Sequence, residues 1–160
     1  MKMEKYIKLS EYLNMNHIYD IIYADIELIA NNMMRSINFD EIKLKSSDKG
    51  TMICKKIDIE TYINPDALSF SSSEKFIVNV AIRIAFCKLN RGFTSNFFIM
   101  DESFTSISKD KIYLISKIIE ILRSMFKWTL VISHMADVNS TFDHTYNIKR
   151  NEIISSINII

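Results

Sequence analysis

The sequence predicts an α/β fold with a core of parallel strands. Two short apolar segments, residues 96–100 and 128–133, are too short for helices and are flanked by turn-forming residues, so each is predicted to be a buried strand. Between them, residues 109–126 repeat apolar side chains at helical spacing, which predicts an amphipathic helix. A strand, a helix and a second apolar strand in this order are typical of a parallel crossover unit, which is normally right-handed.

The residues around this unit predict two more helices and two hairpins. Residues 17–37 carry an apolar stripe typical of a core-facing amphipathic helix, although a short coiled-coil segment would show the same stripe. Residues 39–63 alternate loosely around a turn that contains glycine, and they are predicted to form a hairpin. Helical spacing resumes from Glu74 to about Leu89, and a closing hairpin is predicted from His144 onwards.

Length and composition are those of one globular domain, residues 1–160. Of these residues 48% are hydrophobic and the formal net charge is +1, so no basic excess indicates direct binding to nucleic acid or a membrane surface. Cys54 and Cys87 lack the paired spacing of a zinc site. The N-terminus shows no export signal, and no apolar run approaches the ~20 residues of a membrane span. These features predict an intracellular protein, cytoplasmic or nuclear.

Glycine is scarce, which excludes one class of phosphate-binding loop from this sequence. Only Gly50 and Gly92 are present, and neither stands in a GxxxxGK(S/T) or GxGxxG context. Such loops need glycine because the backbone must approach the phosphates closely, often with positive φ. The sequence therefore contains no Walker A loop.

Three polar clusters stand where α/β proteins bind ligands. Ser71 and Glu74 fit the S-x-x-E capping box, and the N–H groups of such a helix start also attract anions. Asp101 and Glu102 follow the first strand, where one carboxylate can hold Mg²⁺ and the other can activate a water. His134 follows the second strand and could hydrogen-bond a phosphate or that water. Each cluster also has a structural explanation, as a helix cap, a loop start or an exposed histidine.

In this order, the motifs resemble the C-terminal half of an ABC-type ATPase head. LSFSSSEKF from Leu68 is similar to the signature motif, FFIMDE at 97–102 to Walker B, SFTSIS at 103–108 to the D-loop, and VISH at 131–134 to the switch histidine. The resemblance covers roughly residues 17–160. The Glu-Lys pair after the serines and the long interval before Walker B resemble the SMC and SbcC-like branch, the ATPases of chromosome organisation and double-strand-break repair.

The resemblance implies a fold and a binding site. The fold is the C-terminal lobe of an ABC-type, P-loop NTPase-like ATPase head, with a parallel strand core, helices and a closing hairpin. Residues 1–37 would be the helical root of a coiled coil, and 38–160 the ATPase lobe. The implied cofactors are ATP and Mg²⁺, with Asp101 binding the metal and with Glu102 and His134 in catalysis. The implied nucleotide-binding residues of the signature and D-loop are Ser71, Ser72, Ser73, Glu74 and Ser108.

The implied partners complete this site. A Walker-A-bearing N-terminal lobe, on the same or a separate chain, would supply the missing phosphate loop, and a second ATPase head would close over the nucleotide. An SbcD-like nuclease and, through the complex, DNA are also implied; a membrane is not. The implied function is ATP binding between two heads in DNA repair, recombination or chromosome organisation.

Three departures from the family pattern bear on activity. Ser72 and Ser73 replace the usual signature glycines, Ser108 replaces the D-loop aspartate, and Walker A is absent. Phosphoryl transfer depends mainly on positioning and electrostatics, so the chain alone is expected to be inactive as an ATPase. One alternative is a degenerate, non-catalytic module that docks on an intact SMC-like ATPase and regulates it. Another is a small α/β protein in which the order of the motifs is accidental.

Overall fold

The computed structural model describes residues 15–47, 50–58, 61–64, 69–90, 95–102, 104, 107–108, 111–150 and 155–159. The chain divides into two compact units, Met1–Ser95 and Asn96–Ile160. The predictions of a single domain and of a coiled-coil root stay predictions. None of the helices in the described ranges is long and apolar enough to cross a membrane.

The first unit combines two helices with a three-stranded antiparallel sheet. Helix α1 spans Met15–Ser36 and helix α2 spans Ser72–Leu89. Between them in the chain lie β1 at Ile42–Ser47, β2 at Gly50–Lys56 and β3 at Tyr62–Ile63. The strand order in the sheet is β1-β2-β3. Both predicted helices of this part of the chain are therefore confirmed.

Strands β1 and β2 form the hairpin that the sequence predicts. Ile42 lies opposite Lys55, and Ser47 lies opposite Gly50. Gly50 has a φ of 119°, a conformation that residues with a Cβ rarely adopt, so the turn requires glycine at this position. In the described residues β3 pairs with the end of β2 alone, at Lys55 and Lys56.

The core of the first unit contains one face of each helix together with the inward side chains of the hairpin, Ile42, Leu44 and Cys54. The buried apolar side chains in and just after α1 are Ile26, Ala30, Met33, Met34 and Ile37, and those of the α2 stripe are Ile77, Val80, Ala81, Ile84 and Ala85. α1 packs against both α2 and β1. Near the N-terminus of α1, by contrast, Ile18, Ile21 and Ile22 are exposed. The predicted stripe is therefore core-facing over only part of its length.

A buried side chain, Asn31, ties α1 to β1. Its amide nitrogen donates to the Leu44 carbonyl at 2.9 Å, and its amide oxygen accepts from the Leu44 N–H at 2.8 Å. Glu27 Oε2 accepts two further bonds, from the backbone N–H and the hydroxyl of Ser46, both at 2.6 Å. Asn31 is only 7% exposed, so its bonds satisfy backbone groups that are removed from water.

The second unit contains the predicted strand–helix–strand segment. β4 spans Phe97–Asp101, α3 spans Ile112–Met125 and β5 spans Trp128–Ile132. The two strands pair in parallel, with Asp101 opposite Ile132 at their carboxyl ends. The buried residues of α3 are Leu114, Ile115, Ile118, Ile119 and Leu122. Of the predicted helical residues, 109–110 lie outside the described residues.

The predicted closing hairpin is also present. A 3-10 helix at Ala136–Thr141 leads towards β6 at Tyr146–Arg150, which pairs antiparallel with β7 at Ser155–Ile159. Both strands carry apolar side chains that point to one face, because Ile148 lies opposite Ile157.

The prediction that β4 and β5 are buried strands is wrong for one face of their sheet. Phe98 and Met100 are buried, whereas the alternating side chains are between 41% and 55% exposed. We call this surface the open sheet face: Phe97, Ile99, Trp128, Leu130 and Ile132. A continuous apolar run predicts burial on both faces of a parallel sheet. Burial of the second face requires another layer of structure, and none of the described residues buries it.

The substitution Asn31→Ala should lower the free energy of unfolding by about 2–4 kcal/mol, because it leaves the buried N–H and carbonyl of Leu44 without their partner. Urea unfolding followed by circular dichroism measures the change. The control is Asn32→Ala, one position along α1, where the side chain is exposed and the expected change is below about 0.5 kcal/mol. Equal effects of the two substitutions would contradict the role given to Asn31.

Candidate functional site

The predicted capping box is present at the N-terminus of α2. Ser71 is the N-cap, and its Oγ accepts a hydrogen bond from the Glu74 N–H at 3.2 Å. In return, Glu74 Oε2 accepts from the Ser71 N–H at 2.7 Å. The two bonds satisfy donors that a helix start otherwise leaves without partners. They also fix the direction in which the serine-rich segment enters the helix.

Glu74 is buried together with its charge. The residue is 5% exposed, and Lys55 Nζ from β2 lies 2.9 Å from Oε1 and 3.2 Å from Oε2. Burial on its own would raise the pKa of Glu74, but the hydrogen bonds from Lys55 and from the Ser71 backbone outweigh it and hold this pKa below its usual value. The ionised Glu74 therefore stabilises the folded state fully above the ordinary pKa of 4.5. This contribution to the free energy of unfolding is lost as the pH falls through the lower, folded-state pKa.

Lys55 is a site residue that sequence reasoning missed. It lies 19 residues before Glu74 and on a different element, so no local motif connects the two. The alternation of β2 indicates only that Lys55 belongs to a strand. The S-x-x-E spacing predicts the cap bond of Glu74 but carries no information about the cation that neutralises it.

The three serines at this helix start have different surroundings. Ser71 and Ser72 are exposed, whereas Ser73 is buried, with its Oγ 3.3 Å from Ser71 Oγ. The Glu74 N–H is taken by Ser71 Oγ, and the Lys75 N–H donates to the Ser71 carbonyl at 3.0 Å. Ser72 and Ser73 are the first two residues of the helix. The backbone N–H groups at these positions point out of the helix end, where they can donate hydrogen bonds to an anion.

The acidic pair lies at the carboxyl end of β4, as predicted. Asp101 is the last residue of the strand, and both Asp101 and Glu102 are exposed. The Glu102 N–H donates to the Ile132 carbonyl at 2.8 Å, so the backbone of β5 holds this residue in place. The φ of Glu102 is 47°, in the left-handed region that residues with a Cβ rarely adopt.

The second unit brings His134 and Glu102 together. His134 Nε2 lies 3.1 Å from Glu102 Oε1, and their side chains are 80% and 62% exposed. The contact joins the ends of two neighbouring parallel strands across 32 residues of sequence. The carboxylate can accept a proton, and the imidazole lies within hydrogen-bonding distance of it. Such a pair can hold and polarise a water molecule or a phosphate oxygen.

The remaining predicted site residues are Ser108 and Asp101, and for Asp101 the predicted role is metal binding. Ser108 is exposed, and its carbonyl accepts from the Lys111 N–H at 2.9 Å, just before α3 begins. The described ranges contain no group of three or more His, Cys, Asp or Glu side chains that could hold a metal ion. Mg²⁺ is usually bound by one or two carboxylates together with waters and substrate phosphates, so Asp101 fits a site that a nucleotide completes.

Strain at Glu102 yields a test. Glu102→Gly should raise the free energy of unfolding by about 0.5–1 kcal/mol relative to Glu102→Ala, because glycine adopts this positive φ without a steric penalty. Both substitutions remove the carboxylate, so their difference isolates the backbone contribution. Parallel urea titrations of the two variants measure it. A glycine variant no more stable than the alanine variant would contradict the strain.

Solved SMC head domains have the same fold as this chain. An SMC ATPase from work on ATP-driven dimerization and DNA-stimulated activation superposes with a TM-score of 0.71 at 12% identity, over 91% of this chain and 89% of that one. The SMC head of Thermotoga maritima superposes with a TM-score of 0.64 at 15% identity, over 91% and 52%. An Smc head bound to the C-terminal domain of ScpA, from Pyrococcus furiosus, gives 0.64 at 13% identity, over 86% and 35%. The predicted α/β fold of an SMC-like ATPase head is therefore confirmed.

Sequence comparison adds one relative. An uncharacterised protein of Acanthamoeba polyphaga mimivirus is 26% identical over 80 residues, which are 50% of this chain and 6% of that protein. No family model matches the chain. The chain thus spans a small part of this relative and about half of the Thermotoga SMC head.

Proposed function

We propose that the chain is the C-terminal ATPase half-domain of an SMC/SbcC-like protein, which binds ATP between two heads. The observation that carries the proposal is the 3.1 Å contact between Glu102 and His134 at the ends of two parallel strands, beside Asp101. A fold is compatible with many activities, so the proposal depends on this arrangement of side chains. The identity to the solved heads is too low to carry it alone.

Each residue has a role in the proposed chemistry. Bound ATP and Mg²⁺ would supply the reactive γ-phosphate and neutralise its charge. Glu102 accepts the proton of the attacking water, and His134 holds that water or a phosphate oxygen in position. Asp101 would hold the metal ion. The N–H groups at the start of α2, with Ser71–Glu74 around them, face the nucleotide of an opposing head.

The site requires a second lobe. Neither glycine of the chain stands in a Walker A context, so the phosphate loop has to come from a Walker-A-bearing lobe, of the same or another polypeptide. The open sheet face supports this requirement, because parallel sheets normally carry cover on both faces. The Thermotoga SMC head, of which this chain covers 52%, is long enough to contain such a lobe.

The start of α1 fits the root of a coiled coil. Ile18, Ile21 and Ile22 are exposed near the N-terminal end of this helix, whereas its apolar residues from Ala30 onwards are buried in the first unit. Apolar residues at spacings of three and four on an exposed helix surface suit packing against a second helix. We assign residues 1–37 to this role, and DNA repair, recombination or chromosome organisation to the assembled complex, with a second head, DNA and an SbcD-like nuclease as partners.

Removing the general base tests the proposal. In a complex reconstituted with a Walker-A-bearing lobe, Glu102→Gln should lower kcat for ATP hydrolysis by at least about 100-fold, because glutamine cannot accept the proton. Phosphate release measures the rate. The control is Glu120→Gln, an exposed carboxylate on α3, which should leave the rate unchanged. Hydrolysis that survives Glu102→Gln would exclude the catalytic role.

A second candidate function is a non-catalytic module that docks on an intact SMC-like ATPase and regulates it. The exposed side chain of Ser72 favours it, because family resemblance places a glycine there and the added atoms narrow the approach of a nucleotide. The Glu102→Gln experiment separates the two candidates. The module would bind the intact ATPase and change its rate, and Glu102→Gln would leave that effect unaltered.

Docking through the open sheet face has its own test. Trp128→Glu should weaken capture of a Walker-A-bearing SMC lobe at least about tenfold, because a buried aromatic side chain contributes roughly 1.5–3 kcal/mol. Calorimetric titration with the purified lobe measures the affinity. Tyr113→Glu is the matched control: Tyr113 on α3 is 56% exposed and Trp128 is 55% exposed, but Tyr113 is not part of the face. Equal affinities of the two variants would exclude the face as the docking site.

A further inference from the structure

We propose that Lys55 is a positioning residue, which holds the serine-rich start of α2 in place through Glu74. The inference rests on the proposed function in one respect, since Ser71–Ser73 are the residues assigned to nucleotide contact. The positioning itself is a property of the first unit alone. The proposal gives Lys55, a residue of the β1–β2 hairpin, a role in the candidate site.

Glu74 occupies the centre of the arrangement. Its Oε2 accepts from both Lys55 Nζ, at 3.2 Å, and the Ser71 N–H, at 2.7 Å, while its Oε1 lies 2.9 Å from Lys55 Nζ. The side chain of Glu74 is 6% exposed and that of Lys55 is 35% exposed. The ammonium group of Lys55, which belongs to the sheet, therefore contacts both oxygens of the carboxylate that accepts the Ser71 N–H.

Without Lys55 the carboxylate would be a buried charge that lacks the cation which the described residues place beside it. Such a charge is strongly disfavoured, so the group would take up a proton or rotate towards water. A protonated carboxyl is a weaker acceptor than a carboxylate, and a rotated one loses the Ser71 N–H. Either response weakens the hydrogen bond between Glu74 and the Ser71 N–H, so the residues at the start of α2 are held less firmly. The effect of Lys55 on the serines is thus indirect and passes through Glu74.

The position of Lys55 is itself fixed by α1. Lys55 lies opposite Ile42 in the hairpin, and β1 is held to α1 by the two hydrogen bonds between Asn31 and Leu44. A continuous set of contacts therefore joins α1, the hairpin and the cap of α2. A shift of α1 that moves the hairpin would therefore also move Lys55, and through its ion pair with Glu74 it would change the position of Ser71.

The neighbouring lysine provides a natural control. Lys56 Nζ lies 2.7 Å from Asp40 Oδ2, an ion pair of similar length on the same strand. Asp40 is 63% exposed at its side chain and is not part of α2 or its cap. Removing the charge of Lys56 therefore breaks an ion pair on the same strand but leaves Glu74 with its partner.

The experiment measures hydrogen exchange and carboxyl titration by NMR on the full chain, without nucleotide. In Lys55→Met, exchange of the Ser71 and Glu74 amides should accelerate at least about tenfold, while amides in the middle of α2 keep their rates. The pKa of Glu74, followed at its side-chain carboxyl carbon, should rise. Lys56→Met should change neither quantity, and Lys55→Arg should restore both.

Two results would overturn the inference. One is exchange that accelerates equally along the whole of α2, which indicates general destabilisation. The other is a Lys55→Met variant that matches Lys56→Met in both exchange and titration. If Lys55→Met does not fold, Lys55→Gln is measured against the same expectations. Because no nucleotide is present, failure here leaves the Glu102→Gln test of the proposed function standing, and failure of that test leaves this result standing.

Discussion

The parallel pairing of β4 with β5 is the constraint on which the candidate site depends. Because the strands run in the same direction, their carboxyl ends meet at one edge, and Glu102 comes within 3.1 Å of His134 although the two lie 32 residues apart. The backbone contributes as well, since the Glu102 N–H donates to the Ile132 carbonyl at the end of β5. The positive φ of Glu102 turns the chain directly after the strand. Strain of this kind persists where the surroundings over-determine it, and such places are often functional.

Local sequence signals account for most of the fold, and long-range pairs account for what they miss. The stripes of α1, α2 and α3 follow from the helical period, and the hairpin around Gly50 follows from alternation and one glycine. The cap of Ser71 by Glu74 follows from a four-residue motif. Lys55 could not be found in this way, because an ion pair between two elements leaves no periodic trace. The open sheet face was missed for a different reason: an uninterrupted apolar run is the same whether the covering layer belongs to this chain or to another.

Exposed apolar side chains form two groups that a larger assembly would cover. One is the open sheet face, which a second lobe would cover, and the other is the N-terminal end of α1, which a second helix would cover. Other large apolar side chains are exposed as well, among them Ile148 and Ile157 on the closing hairpin. Single exposed apolar residues are ordinary, but five on one face of a two-stranded parallel sheet are not. A small sheet with one layer of cover is also marginal by itself. Among the residues that the structure describes, the open sheet face thus lacks the second layer that would complete a hydrophobic core around β4 and β5.

The serines that stand where the family resemblance places glycines change less than their number suggests. Ser72 and Ser73 are the first residues of α2, where the backbone adopts ordinary helical angles, so no glycine is needed for conformation. Ser73 turns inward and is buried, and Ser71 uses its hydroxyl to cap the helix. Only Ser72 presents additional side-chain atoms at the exposed helix end, while the backbone N–H groups that attract an anion are the same for serine and glycine. The departure is therefore mainly steric and confined to one side chain, and the electrostatic character of the helix start is retained.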